Sequence, residues 1–160
     1  MSLADDGLSL QERFAPSNRC FGCGQANDAG LRLRSYVGAD ESTLVAEFMP
    51  EPHHGALGSA LNGGLISTLF DCHANWSAAH HLMQLGRLDT PPFTVTVELS
   101  VNFIKPTPLL GPVALTAKVL GVSGRRVTVD AQLTSANEVR ARCVGTLVAV
   151  DRARFDDSAH

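Results

Sequence analysis

Residues 61–76 read LNGGLISTLFDCHANW, and the fold turns on what this stretch is. Asn62 is a good helix N-cap, because its side-chain oxygen can accept from an otherwise orphaned N–H. Leu61 and Ile66 stand at the hydrophobic-staple positions around it. The pattern predicts one long helix from Gly63 to about Leu85, with Gly86 as its stop. At 3.6 residues per turn Leu65, Leu69, Cys72, Trp76 and Ala79 form an apolar stripe, widened by Ile66, Phe70 and Ala74. A narrow polar line, Ser67, Asp71 and Asn75, runs beside it at i, i+4 and i+8. No Lys, Arg or Glu occurs from Asn62 through Leu85. A helix with no charged face is largely surrounded by protein. Asp71 is then a carboxylate in apolar surroundings, which is costly unless a partner or a reaction compensates.

The flanks read as strands. From Thr94 to Lys105, Val95, Val97, Leu99, Val101 and Phe103 alternate with Thr96, Glu98, Ser100 and Asn102. The prolines of PTPLLGP end that run. Further strands follow over Val113–Val119, Val127–Leu133 and Val139–Val150, separated by GVSGR and SANE. Upstream, Leu31–Val37 and Thr43–Met49 flank GADES. Short connections imply antiparallel neighbours. The outline is α+β: two strands, one long helix, four strands, with the helix covering the apolar face of the sheet.

The chain has 160 residues and a net charge of −3, which suits one domain with a sizeable core. Residues 1–19 read as a loose lead-in with a short helix near Leu8–Phe14, residues 20–150 as a single domain, and 151–160 as a fraying polar tail. No basic run points to nucleic acid, and no stretch suggests a membrane span or a secretory signal. A cytoplasmic protein is the expectation.

The helix start carries chemistry of its own. The N–H groups after Asn62 lie at the positive end of the helix dipole, and Gly63 and Gly64 admit a close approach. Such N–H groups suit an oxygen that gains negative charge during a reaction. Asp71 lies eight residues on, roughly 12 Å along the axis, so one helix cannot bring both to one atom. Two antiparallel copies can. A catalytic reading therefore predicts a homodimer with sites at its interface, on its own or within a tetramer.

Three segments, NRCFGCG…GLRLRS, HHGALGSALNGGLISTLFD and VTVELSVNFIKPTPLLGPV, resemble the hotdog-fold acyl-CoA thioesterases of the phenylacetate-degradation (PaaI-like) type. The resemblance spans about Asn18 to Val150. It implies an antiparallel sheet wrapped around one long central helix, with dimers joined sheet edge to sheet edge. It implies Asp71, seven residues after Gly64, as general base or nucleophile, the Gly63 N–H as carbonyl polariser, and no cofactor beyond the coenzyme A of the substrate. Asn75 stands where some relatives use Ser or Thr to position water, and His54 is the nearest counterpart of a contributing Gln. Asn62 replaces the family's usual His, so it can cap and bond a carbonyl but cannot titrate near neutral pH. DCHANW departs from commoner members, and Trp76 there would narrow the acyl pocket. On the residues alone, the polar line that includes Ser67 is either a hydrogen-bonded seam or a wall of the substrate site, and Gly64 admits a close substrate approach. Lys105, Arg125 and Arg126, at strand ends or turns, are either a solvated rim or contacts to the coenzyme A phosphates. The same fold also supports a non-catalytic acyl-CoA sensor. A hydratase ranks lower, because His53-His54 lacks the preceding Asp those relatives use.

Cys20-Phe-Gly-Cys23 is a single CxxC. A metal-free structural turn is the first reading. Zinc would need more ligands, from His53 and His54 or from a second copy, and redox chemistry comes last. Cys72 on the apolar stripe reads as an inert buried thiol. His73, His80 and His81 read as packing or helix-surface residues.

Overall fold

The computed structural model describes residues 7–154. Six strands form one antiparallel sheet in the order β1-β2-β4-β5-β6-β3. They are β1 (Tyr36–Val37), β2 (Thr43–Phe48), β3 (Thr94–Phe103), β4 (Val113–Ser123), β5 (Arg126–Ser135) and β6 (Glu138–Ala149). The long helix α2 (Gly63–Gly86) lies in the curve of the sheet, and a short helix α1 (Leu10–Phe14) precedes the strands. This is the hotdog arrangement. Among the described residues no helix is long and apolar enough to cross a membrane.

The core sits between α2 and the sheet. Val113, Leu115, Ala117, Val127, Val129 and Leu133 are fully buried on one side, against Ile66, Leu69, Phe70, Ala74 and Ala78 on the other. Ala74 and Ala78 carry almost no side-chain bulk, so the helix sits close to β6, where a side chain on Gly145 would meet Ala74. Truncating Phe70 to Ala would cost about 3–5 kcal/mol through lost burial and the cavity left behind. Asn62 caps α2 as expected, its Oδ1 accepting from the Leu65 N–H at 3.0 Å.

Four expectations need correction. Only Tyr36–Val37 of the predicted Leu31–Val37 strand is strand. Leu31 and Leu33 instead donate their N–H groups to Phe21 and Gly22, pairing with the CxxC turn, and Arg32 takes a positive φ of 52°. The helix runs through Gly86 and stops at Arg87, which adopts the left-handed conformation and bonds back to Met83 and Gln84. The segment around α1 is fixed rather than loose: Ser9 and Gln11 are buried, and Gln11 bonds Ser35 through both ends of its amide. Finally, β3 is bulged between Thr96 and Glu98. The bulge inverts the simple alternation, so Thr94 is buried and Val97 is half exposed. The tail expectation for residues 155–160 lies outside the described residues.

Candidate active site

Asp71 is half-buried on the side of α2 that faces β3. The Thr96 hydroxyl donates to its Oδ1 at 2.5 Å. One helical turn on, Asn75 Oδ1 accepts from the Thr94 hydroxyl, and Asn75 Nδ2 donates to Thr96 Oγ1 at 3.5 Å. Asp71, Thr96, Asn75 and Thr94 thus make one polar seam. The Thr96 bond occupies a single carboxylate oxygen of Asp71 and leaves the other, Oδ2, for chemistry. The Asp71 charge is felt at the neighbouring Cys143, whose thiol is pushed up to about 11, first by burial and then by Asp71 and Asp130. A thiol held protonated there is no nucleophile.

Thr96 and Thr94 are the site residues that sequence reading missed. Simple alternation set Thr96 opposite the valines, facing away from the helix. The bulge that turns it inward leaves no mark on the polarity pattern, although two threonines flanking Val95 supply the hydroxyls.

The second group of candidate residues lies at the helix start. The N–H groups of Gly63 and Gly64 are orphan donors of α2. Gly63 lines an open pocket of about 310 Å³ with Leu61, Ile66, Phe103, Ile104 and Lys105. A Cβ on Gly63 would stand 3.3 Å from the ring of the exposed Phe103, which would have to shift slightly to admit it. His54 is brought to the same place, its carbonyl accepting from the Asn62 N–H at 3.0 Å. Its ring accepts from the Glu51 N–H and is pushed toward the neutral form by burial and then by His53.

The remaining expected contacts are spread over the chain. The Ser67 hydroxyl donates to Gly63 O at 3.0 Å, so its proton is spent inside the helix. The Trp76 ring N–H donates to Cys23 Sγ at 3.4 Å, which sets the indole on the cysteine side of α2 rather than beside Asp71. Lys105 pairs with Glu138 at the exposed rim near Gly63. Arg126 lies across from Val148, which pairs with Val95, at the far end of the sheet. Within one chain Lys105 and Arg126 are not neighbours. His73 and His80 are buried, in keeping with packing roles. Cys72 joins Cys20 and Cys23, whereas His53 and His54 stand apart from them.

Residues 58–141 match the family model of the thioesterase superfamily. Among solved structures the chain is similar to a thioesterase superfamily protein from Shewanella loihica PV-4, at 30% identity over 79% of this chain and 98% of that one, with a TM-score of 0.64. It is similar in fold to the E. coli PaaI protein of the phenylacetic acid degradation operon, at 15% identity over 79% and 88% of the two chains and a TM-score of 0.65. It is likewise similar in fold to zebra fish Thioesterase Superfamily Member 2, at 18% identity over 78% and 90% and a TM-score of 0.63. No curated protein matches the sequence.

Proposed function

The chain belongs to the thioesterase superfamily, and from that premise we propose that it hydrolyses acyl-CoA thioesters at sites shared between two copies. The observation that carries this reading is Asp71 itself. It is the sole charged side chain from Asn62 through Leu85, and it is held by a Thr96 hydroxyl on the edge of the sheet.

Strand β3 is that edge, and it is ten residues long. It exposes Val97, Phe103 and, just beyond it, Ile104. A long edge strand with no neighbour, exposing these apolar side chains among Glu98, Ser100 and Asn102, calls for a partner strand. A two-fold centred on Ser100 pairs residue 103 of one chain with residue 97 of the other. That register places the Phe103–Gly63 corner of one copy at the Thr96–Asp71 bulge of its partner. It also brings Lys105 of one copy to the same end as Arg126 of the other, where two cations can meet the phosphates of coenzyme A.

In such a site the thioester carbonyl accepts from the Gly63 N–H, and negative charge develops there on attack. Asn62 Oδ1 caps the helix, which leaves its NH₂ to orient the thioester or a water. Asp71 of the partner either takes the proton from an attacking water or attacks the carbonyl itself. Asn75 and Thr96 hold the carboxylate in place. No cofactor enters this scheme.

The test is release of free coenzyme A from a panel of aromatic and aliphatic acyl-CoAs, with Asp71→Asn alongside. Turnover that collapses in the folded variant supports the reading, and the best substrate names the acyl class. Saturable binding by both proteins without turnover would make the chain a binding module with a structural aspartate. In a single turnover in heavy-oxygen water, label in the Asp71 carboxylate would establish direct attack, because only a mixed anhydride opened at the Asp71 carbonyl puts it there; water adding at the acyl carbon labels only the product by either route.

A further inference from the structure

On the other side of α2, three sulfur atoms from distant parts of the chain meet. The Sγ atoms of Cys20, Cys23 and Cys72 all lie within 4.8 Å of one another, and Cys20 and Cys72 are 3.8 Å apart. We propose that these three cysteines form a zinc site, with three thiolate ligands and a fourth position open to solvent beside the exposed Cys20. Zinc–sulfur bonds of about 2.3 Å at tetrahedral angles set their sulfurs about 3.8 Å apart, which is the Cys20–Cys72 spacing. A disulfide needs about 2.05 Å and would require the turn to move.

The turn is shaped around the sulfurs. The Gly24 N–H donates to the Cys20 carbonyl at 2.8 Å, which closes the loop over Phe21 and Gly22. Both glycines in CFGCG are required by contact. A Cβ on Gly22 would lie 2.3 Å from Cys72 Sγ, and one on Gly24 would lie 2.4 Å from the Cys20 nitrogen. The Trp76 ring N–H donates to Cys23 Sγ at 3.4 Å, as donors do around a metal-bound thiolate.

A bound Zn²⁺ takes the three sulfurs as thiolates, and the displaced thiol protons pass to the solvent. It also ties the turn at Cys20–Cys23 to α2 immediately behind Asp71. The ion has no part in the proposed hydrolysis, so this inference stands or falls apart from that reading.

The test uses the full chain purified under reducing conditions, loaded with Zn²⁺, dialysed and assayed for metal. The expected result is about one zinc per chain, a higher thermal midpoint with Zn²⁺ than with chelator, and a thiolate-to-metal absorption band when Co²⁺ is substituted. Cys20→Ser, at an exposed turn position, should fold and weaken zinc binding by more than the ~10–100-fold that loss of a second-shell partner costs. Equal retention by Cys20→Ser would overturn the proposal. So would a wild type in which Cys20, Cys23 and Cys72 are all free thiols and no metal is retained, or one with a disulfide among these cysteines.

Discussion

Asp71 and Cys72 are neighbours in sequence and about 100° apart around α2. Their surroundings are finished in different ways. Cys72 is closed in by its own chain: the Cys20–Cys23 turn folds over it and Trp76 seals the side. Asp71 faces β3, a strand with no neighbour on its outer edge. One side of the helix is complete in a single chain, and the other lies beside the open edge that the proposed second copy would cover. A helix that must satisfy both sides cannot be plainly amphipathic, so it shows no charged face. The comparison separates two demands that a buried polar residue can meet, holding the chain together and holding a reaction open.

The most damaging change to the open side is Asp71→Asn. It keeps the shape and the Thr96 contact but removes the proposed base or nucleophile, and turnover should fall by about 10²–10⁴-fold with little change in thermal midpoint. A fall in stability matching the loss of activity would move Asp71 to the structural side of the comparison. Thr96→Val should be milder, because a hydrogen bond to a charged group is worth about 1.5–3 kcal/mol.

Next in size is a charge on the bare edge. Val97→Asp alters a half-exposed side chain, so the single chain should fold. Light scattering should then show a monomer, and coenzyme A release should be lost along with the dimer. A wild type that is monomeric at working concentration and still turns over would remove the shared site altogether.

The closed side has its own signature in pH. His73 is fully buried: its Nε2–H donates to the Leu44 carbonyl at 3.1 Å, and Nδ1 accepts from the Ser35 hydroxyl at 2.8 Å. Burial pushes it down from 6.5 to about 4, against a smaller upward pull from Leu44. The neutral ring is stabilising above the unfolded value. As pH falls below 6.5 the unfolded chain binds a proton first, and stability drains until the folded ring also protonates near 4. The gap corresponds to about 3 kcal/mol. Denaturant midpoints at neutral and acid pH should differ more in wild type than in His73→Gln. Equal differences would show that this network does not hold the ring neutral.

Much of the fold was legible. Local signals set α2: the Asn62 cap, the staple and an uninterrupted apolar run. Alternation located the four long strands, because one-sided burial repeats every second residue. What failed was tertiary. Leu31–Leu33 look like strand residues but pair with the Cys20–Cys23 turn. The bulge at Val97 reverses which threonines face the helix, and no residue type announces it. Asp71 stood out because a lone charge in an apolar helix is rare. The Cys72 partnership did not, since a cysteine on an apolar stripe looks the same whether it packs or ligates.

The smallest effect is the sharpest test of the division. If Trp76 belongs to the closed side, Trp76→Phe removes only a weak N–H···S contact and part of a ring. Stability should fall by about 1 kcal/mol or less. Turnover and the ranking of acyl chains should stay as they are, because Asp71 and the indole lie about 140° apart around the helix. A shift in acyl preference would mean that the ring reaches the substrate after all. The two sides of α2 would then be one site, and the cysteine turn that Trp76 touches would be part of the acyl pocket's wall rather than a separate brace behind it.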